Sequence, residues 1–342
     1  MENKQKIVKA EVLITRRCNL KCKSCKVIEK KIPESDELTL KLWNKAFNII
    51  YDDLGADFIA VYGGEPMVLG REKLGSIVGM LSKHRPQKSY TIISNSIGLT
   101  DDYQDFLISK GLDSWTASVD TLNPNDGNDK YSKAKSKTGL DALIRFQKKN
   151  LRDVCGIITV TKKNIKEVPE TVKFLTDLNI WCGLDLIHYD KTGFDNFSSP
   201  RENMLDLVFN HEDLPLIQKT ADKLIDLKKK GALIFPTYET LENWKDSRYS
   251  IDLNWKCGEP RAIAVDANGE VFECDQFQGS RLKKYTIFDL PDRWNEFKKD
   301  YIDDVRRECL GCFWSTHAML YEKEFKEGNG SKYYQHEAKK LK

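Results

Sequence analysis

The sequence lacks both a long apolar run and an export signal. No run approaches the roughly 18 consecutive apolar residues of a membrane-spanning helix, and the first residues do not resemble a secretory signal. Neither sign of charge is in large excess, because 55 Lys and Arg stand against 52 Asp and Glu. These features exclude a membrane-spanning protein, argue against a dedicated nucleic-acid binder and predict a soluble, cytoplasmic chain.

The nine cysteines are unevenly distributed along the chain. Three lie in one short stretch near the N-terminus, four lie towards the C-terminus, and Cys155 and Cys182 stand alone. In a chain without an export signal, this number predicts a reducing compartment and metal–sulfur chemistry rather than a disulfide framework. The two isolated cysteines are expected to be small core residues.

The N-terminal cysteines have the spacing Cys-x3-Cys-x2-Cys. Cys18, Cys22 and Cys25 follow directly after Val8 to Ile14, an alternating apolar run that predicts a strand. Three thiolates on one short loop can bind three irons of an iron–sulfur cube and leave the fourth iron without a protein ligand. A structural zinc site needs a fourth ligand close by, and no Cys or His lies between Cys25 and His84.

From residue 8 to about residue 190, short apolar runs alternate with segments of helical periodicity. The predicted strands are Val8 to Ile14, Asp57 to Tyr62, Ser89 to Ser94, Ser114 to Asp120, Val154 to Thr161 and Trp181 to Tyr189. The predicted helices are Leu38 to Leu54, Arg71 to His84, Asp101 to Lys110, Gly139 to Asn150 and Val168 to Leu178. This alternation predicts parallel strands with helical connections, and therefore an α/β sheet curled towards a barrel. Six units fall short of the eight of a closed barrel.

In parallel barrels, the chemistry lies at the C-terminal ends of the strands. There the sequence offers Gly63, Gly64, Glu65 and Pro66 after strand two, Ser94 and Asn95 after strand three, Ser118 and Asp120 after strand four, and His188, Tyr189 and Asp190 after strand six. Glycines allow close backbone approach to a ligand, short polar groups can bond a cofactor, and the last group can donate a proton or a hydrogen to a substrate. The competing interpretations are an ordinary turn, strand-end capping and a satisfied histidine.

The C-terminal part of the chain has a different organisation. Residues 191–253 are interpreted as a bridge that contains an amphipathic helix, Leu214 to Lys230. Asn268-Gly269 separates two apolar runs and predicts a β-hairpin. The remaining cysteines lie around this hairpin: Cys257, Cys274, Cys309 and Cys312. Four thiols complete a metal site, and their spacing does not distinguish an iron–sulfur cluster from zinc.

The cysteine motif and the downstream Gly-Gly-Glu-Pro turn together resemble the signature of the radical S-adenosylmethionine enzymes. The resemblance implies an open, partial (β/α)6 TIM-like barrel in which Cys18, Cys22 and Cys25 hold a [4Fe–4S] cluster and the glycine turn holds the amino group of S-adenosylmethionine. In that family, an electron from the cluster cleaves S-adenosylmethionine to methionine and a 5'-deoxyadenosyl radical, which abstracts a substrate hydrogen. The sequence departs from the family at Ser24, where an aromatic residue usually packs near the adenine.

The C-terminal cysteines resemble the four-cysteine twitch form of the SPASM-like auxiliary-cluster domain, including a glycine five positions before a cysteine, Gly269 to Cys274. This implies a second [4Fe–4S] cluster, and an external electron donor such as flavodoxin or ferredoxin. The predicted organisation is therefore a barrel domain over residues 1–190, the bridge over 191–253, a small α+β domain with the hairpin and the four-cysteine metal site over 254–325, and a charged tail over 326–342.

The sequence leaves the substrate open. Family members with this accessory domain often modify peptides, so dehydrogenation, epimerisation or cross-linking of a peptide is the favoured hypothesis. Because Cys18 comes so early, no peptide-binding domain is expected before it, and a peptide substrate then calls for a separate leader-binding protein. The alternatives are a sugar or aminocyclitol dehydrogenase, a nucleotide-modifying enzyme, and a non-enzymatic binding protein stabilised by two zinc sites.

Overall fold

A computed structural model of the chain describes residues 6–25, 27–28, 30–123, 130–187, 205–246, 259–272, 285–306 and 320. Its strands are β1 (Lys9–Leu13), β2 (Phe58–Tyr62), β3 (Ser89–Ser94), β4 (Ser114–Ser118), β5 (Asp153–Val160), β6 (Trp181–Leu186), β7 (Ala262–Val265) and β8 (Val271–Phe272). Its α-helices are α1 (Leu40–Asn48), α2 (Arg71–Ser82), α3 (Asp101–Ser109), α4 (Lys130–Lys148), α5 (Val168–Asp177), α6 (Leu214–Lys229), α7 (Tyr238–Asp246) and α8 (Trp294–Asp300). In this part of the chain, every helix is too short or too polar to cross a bilayer.

The strands form one sheet in the order β6-β5-β4-β3-β2-β1-β7-β8. From β1 to β6, each strand pairs in parallel with the next strand of the sequence, and a helix connects each pair. Parallel pairing places the C-terminal ends of all six strands at the same edge of the sheet. The predicted α/β class, with a partial barrel of six β/α units, is confirmed.

The predicted hairpin is present and is part of the same sheet. β7 and β8 pair antiparallel on either side of Asn268-Gly269, and Gly269 has a φ of +85°. β7 also pairs in parallel with β1, so that Val265 lies opposite Val12. The sequence did not predict this second pairing, because the whole barrel lies between the two strands in the chain. The pairing places the residues that follow β7 beside the loop that follows β1.

Of the predicted helices, α4 departs most from its predicted bounds, and the others differ by one or two residues at an end once the π-helical turn after α1 is included. α4 begins at Lys130 rather than at Gly139. The segment before Gly139 contains the good helix formers Lys and Ala but no apolar stripe, so a prediction from hydrophobic periodicity missed it. Gly139 instead lies where α4 crosses β4, and a Cβ there would collide with the Ser118 carbonyl oxygen. α1 is extended by a π-helical turn, Ile49–Asp53.

The hydrophobic core lies between the sheet and the surrounding helices. Ala10 and Val12 of β1 belong to it. Because successive side chains of a strand point to opposite faces, the residues of β1 that alternate with these two face the concave side of the sheet. Lys9 and Glu11, which form a buried ion pair with each other, lie on that side. The concave side is therefore polar at its base.

Ile59 of β2 tests the assignment of the core. Its side chain is 0% exposed, so Ile59→Ala leaves a cavity and is expected to lower the free energy of unfolding by about 2–5 kcal/mol. Leu42→Ala is the matched control, because Leu42 is 38% exposed on α1 and its truncation should change the same quantity by less than about 0.5 kcal/mol. Urea denaturation measures both variants, and equal destabilisation would contradict the assigned core.

Candidate functional site

The three N-terminal cysteines lie on the loop that follows β1, at the C-terminal edge of the sheet. Cys18, Cys22 and Cys25 are reduced thiols outside any disulfide, and each is partly buried. The backbone N–H of Leu20 donates to Cys18 Sγ over 3.3 Å, and that of Cys25 donates to the Cys22 carbonyl over 3.2 Å. Burial raises the pKa of the Cys18 thiol to about 11, so binding of a metal at neutral pH must displace its proton.

These donors fit an iron–sulfur cluster better than a single ion. A zinc ion needs all its thiolate donors within about 2.3 Å of one point, whereas each iron of a [4Fe–4S] cluster takes a separate thiolate. Within the described ranges, no group of three or more His, Cys, Asp or Glu side chains is arranged to hold one metal ion. Three thiols on a short loop, one of them already accepting an N–H, suit three irons and leave the fourth accessible.

The Gly-Gly-Glu-Pro turn after β2 packs directly against the cysteine loop. The N–H of Gly64 donates to the Thr15 carbonyl over 2.7 Å, and the N–H of Glu65 donates to the Arg17 carbonyl over 2.9 Å. A Cβ on Gly63 would collide with the Thr15 carbonyl oxygen, and one on Gly64 would collide with the Arg17 carbonyl oxygen. The two glycines are therefore required for the close approach of this turn to the base of the cysteine loop.

Glu65 joins that turn to the end of β3. Its side chain is buried, and Oε1 accepts from the Ser94 hydroxyl over 2.7 Å and from the Met67 N–H over 2.9 Å. Oε2 accepts from the Asn95 N–H over 2.8 Å. Burial raises the pKa of the Glu65 carboxyl above its ordinary value. Pro66 follows as the first residue of a short 3-10 helix, Pro66–Leu69, which Glu65 caps.

Asn95 reaches from the end of β3 to the cysteine motif itself. Its Nδ2 donates to Asn19 Oδ1 over 2.8 Å, and its Oδ1 accepts from the Ile97 N–H over 2.9 Å. Sequence reasoning identified Asn95 but missed Asn19, although Asn19 lies between two of the cysteines. An amide side chain has no spacing that marks it as functional, so only its contact reveals it.

Ser118 and Asp120 lie at the end of β4, at the same edge. Ser118 is half-buried and alternates with the core residues of its strand, so it faces the concave side. Asp120 is buried; its Oδ1 accepts from the Thr159 N–H over 3.1 Å, and its Oδ2 lies 2.7 Å from Lys135 Nζ. Asp120 therefore ties β4 to β5 and α4, whereas Ser118 remains partly exposed.

The concave face of the sheet above this base is only partly covered. Leu13, Thr91 and Thr116 face it and are buried, whereas the following strand residues on the same face are half-buried: Tyr62, Ile93, Ser118, Ile157, Thr159, Trp181 and Asp185. Cys155 also lies on this face, and burial raises its pKa to about 12. Cys182 is a fully buried core residue, as predicted. The face combines apolar and polar side chains beside the cysteine loop.

An ion pair links the cysteine loop to the segment that precedes α6. Lys23, which lies inside the motif, pairs with Asp206, and so does Lys163 from the loop after β5. Hydrogen bonds from Lys163 and Lys23 lower the pKa of Asp206 to about 2. The carboxylate therefore stays charged, and the link stays intact, until the pH falls towards that value. Because these groups are exposed, the link adds little to global stability.

Several predicted site residues lie outside the described residues. They are His188, Tyr189 and Asp190 after β6, and the four C-terminal cysteines Cys257, Cys274, Cys309 and Cys312. Their predicted roles stay predictions. Two described residues lie close to them in sequence, namely Ile187, which follows β6, and Phe272, which ends β8 two positions before Cys274.

One protein-family model matches part of the chain. Residues 12–175 match the family model described as the Radical SAM superfamily. This segment begins in β1, contains the cysteine loop and the glycine turn, and ends in α5. No curated protein matches the chain in sequence.

Several solved structures share the fold. The chain is similar to SuiB of Streptococcus suis bound to S-adenosylmethionine, with a TM-score of 0.63 and 15% identity over 93% of this chain and 75% of that one. SuiB bound to the precursor peptide SuiA has a TM-score of 0.63 and 14% identity, over 93% of this chain and 73% of that one. Native anSMEcpe with bound AdoMet and Cp18Cys peptide has a TM-score of 0.58 and 17% identity, over 98% of this chain and 100% of that one. At these identities, the similarity shows a common fold.

Gly64→Ala tests the contact between the glycine turn and the cysteine loop. The new Cβ would collide with the Arg17 carbonyl and displace the loop, so the variant is expected to bind iron about tenfold more weakly after anaerobic reconstitution. Gly79→Ala on α2 is the control, because its Cβ has only an ordinary contact at 3.9 Å. Iron analysis measures the iron content of both variants, and a thermal melt checks that both are folded. Equal iron content in the two variants would contradict the assigned contact.

Proposed function

We propose that this chain, which carries a domain of the radical SAM superfamily over residues 12–175, is an enzyme that modifies a peptide through a carbon-centred radical. Cys18, Cys22 and Cys25 would hold a [4Fe–4S] cluster; given an electron from a reductant and bound S-adenosylmethionine, that cluster would supply a 5'-deoxyadenosyl radical, with release of methionine, to remove hydrogen from an unactivated carbon. Dehydrogenation, epimerisation or cross-linking of the peptide follows from that step.

The observation that carries the proposal is the position of the cysteine loop. Three reduced thiols lie on the loop that follows β1, at the C-terminal edge of a parallel sheet, which is the edge where parallel barrels carry out chemistry. The amides of Gly64 and Glu65 fix the base of the loop. Three protein ligands for four irons leave one iron for the amino and carboxylate groups of S-adenosylmethionine.

We assign the remaining cofactor contacts to the strand ends. The amide groups of the glycine turn bond the cysteine loop, so we assign its carbonyl oxygens to the ammonium group of S-adenosylmethionine. Ser118 is the partly exposed hydroxyl at the end of β4 and is assigned to a ribose hydroxyl or to the methionine carboxylate. Ser94, Asn95 and Asp120 then act mainly by holding the surrounding segments, since their side chains already bond protein groups.

The partly covered concave face supports a peptide substrate. Apolar groups such as Ile157 and Trp181 alternate there with Thr159 and Asp185, which suits a peptide side chain with an apolar stem and a polar neighbour. The similar proteins SuiB and anSMEcpe were each captured with a bound peptide. His188, Tyr189 and Asp190 follow β6 in sequence and are proposed as proton or hydrogen donors to the substrate.

We further propose a second [4Fe–4S] cluster on Cys257, Cys274, Cys309 and Cys312. The β7–β8 hairpin supports this, because β8 runs antiparallel to β7 and returns the chain towards the start of β7, and Cys257 and Cys274 lie in sequence shortly before β7 and shortly after β8. A fully ligated cluster there would accept an electron from a substrate radical or stabilise the domain. Radical SAM enzymes need an external reductant, and we propose a flavodoxin or ferredoxin.

Iron analysis of a triple variant tests both metal sites. After anaerobic reconstitution, the wild type is expected to hold about eight irons and Cys18→Ala/Cys22→Ala/Cys25→Ala about four, because only the N-terminal cluster loses its ligands. On reduction with dithionite in the presence of S-adenosylmethionine, only the wild type should form 5'-deoxyadenosine, which chromatography measures.

The possible results of that experiment separate the hypotheses. About four irons and one zinc in the wild type would retain the radical chemistry and make the C-terminal site structural. A wild type without iron and without 5'-deoxyadenosine would reject the enzyme and favour a zinc-stabilised binding protein. Formation of 5'-deoxyadenosine by the triple variant would reject the assigned ligands.

Ser118→Ala tests the cofactor assignment at β4. Loss of one hydrogen bond is expected to weaken binding of S-adenosylmethionine by about three- to tenfold, with unchanged iron content, because Ser118 does not contact the cysteine loop in this proposal. Ser76→Ala is the control, since Ser76 is a half-buried serine of α2 whose hydroxyl donates to the Glu72 carbonyl, away from the strand ends. Equilibrium titration of the reconstituted protein measures the affinity, and equal affinities would remove Ser118 from the site.

A further inference from the structure

Two cations flank the cysteine motif and bond the same carboxylate. Arg16 precedes Cys18, and Lys30 follows Cys25. Arg16 Nε donates to Asp266 Oδ1 over 2.7 Å, and Arg16 Nη2 donates to Asp266 Oδ2 over 2.9 Å. Lys30 Nζ donates to the same Oδ2 over 2.8 Å. Arg16 and Lys30, at the two ends of this loop, are therefore both bonded to the side chain of Asp266, which is distant in the sequence.

Asp266 is itself held firmly. It follows β7 directly, and its Oδ1 also accepts from the Ala267 N–H over 2.8 Å. Its own N–H donates to the Glu270 carbonyl across the hairpin over 2.8 Å. The side chains of Asp266 and Arg16 are 0% and 2% exposed. A buried carboxylate with a fixed backbone and several donors cannot reorient freely, so it restricts both cations that bind it.

The charges around Asp266 are balanced and mutually dependent. Lys30 Nζ also lies 2.7 Å from Glu270 Oε2 and 4.8 Å from the centre of the Phe272 ring, so two cations face two carboxylates. Inside the loop, Arg16 Nη1 donates to the Val27 carbonyl over 2.9 Å. Removal of the Asp266 charge leaves the buried Arg16 guanidinium without compensation, which proteins tolerate poorly, whereas Lys30 and Glu270 are partly exposed and can be solvated.

We propose that Asp266 is a positioning residue that closes the cysteine loop through Arg16 and Lys30 and so pre-orders the cluster site. Closing a loop at both ends removes conformations in which the three thiols point apart, which lowers the entropic cost of binding a cluster. In this arrangement the C-terminal hairpin is a required part of the N-terminal cluster site. The effect on a cluster rests on the proposed function, whereas the closure of the loop does not.

Asp266→Asn tests the proposal, with Glu270→Gln as the matched acid-to-amide control. The first change removes the negative charge and one of the oxygens that accept from Arg16 and Lys30, whereas the second leaves the Asp266 carboxylate untouched. Hydrogen exchange of the iron-free protein should become about tenfold faster for amides of residues 19–25 in Asp266→Asn. In the control it should stay within about twofold of the wild type.

A second measurement follows the cluster itself. In reconstituted protein, Asp266→Asn is expected to lose iron to a chelator about tenfold faster than Glu270→Gln. The change in the electron paramagnetic resonance signal of the reduced cluster on addition of S-adenosylmethionine should also differ from that of the wild type, because this signal reports the geometry of the open iron. A merely structural ion pair would leave that spectral change as it is, and such a result would overturn the positioning role.

Each result of the exchange experiment decides the proposal. Unchanged exchange of residues 19–25, or exchange that accelerates equally in α5 and in the loop, would overturn it. If Asp266→Asn does not fold, Lys30→Met takes its place, because it keeps the aliphatic stem and the Arg16–Asp266 pair; about threefold faster exchange in the loop is then expected. If the wild type takes up no iron, the proposed function fails while the exchange measurement still tests the closure.

Discussion

The conformation of the cysteine loop depends on contacts from three other parts of the chain, because the loop has little regular structure of its own. The turn after β2 bonds its backbone through Gly64 and Glu65. The end of β3 contacts it through Asn95, and the C-terminal hairpin contacts it through Asp266. Parallel pairing brings the first two segments to one edge of the sheet, and the pairing of β7 with β1 brings the third. The strand order of the sheet thus determines which segments contact the loop that carries the three thiols.

Buried carboxylates connect the segments at this edge. Glu65, Asp120 and Asp266 are each fully or almost fully buried, and each accepts hydrogen bonds from more than one segment. Burial of an ionised group is costly unless donors surround it, so each carboxylate strongly favours the one arrangement of segments that supplies its donors. The buried polar residues near the site therefore hold segments of the chain together, whereas a half-buried group such as Ser118 keeps part of its surface exposed.

Local patterns predicted the elements well and their long-range pairing poorly. The six parallel strands and the Asn268-Gly269 hairpin are visible in the sequence because strand alternation and turn chemistry depend on neighbouring residues. The predicted start of α4 was wrong, because residues 130–138 form a helix without an apolar stripe. The pairing of β7 with β1 was not predicted, since no local pattern states which distant strand completes an edge.

The sequence by itself determined the donor set of the site. The number and spacing of the thiols at Cys18, Cys22 and Cys25, and the missing Cβ atoms of the glycine turn, are properties of the residues, and they predict an iron–sulfur site without coordinates. Only the tertiary structure decided which polar side chains bond one another across the site. Asn95 bonds Asn19, and Asp266 bonds Arg16. A hydrogen bond requires two groups to lie within about 3 Å, and the packing of segments far apart in the chain sets that distance.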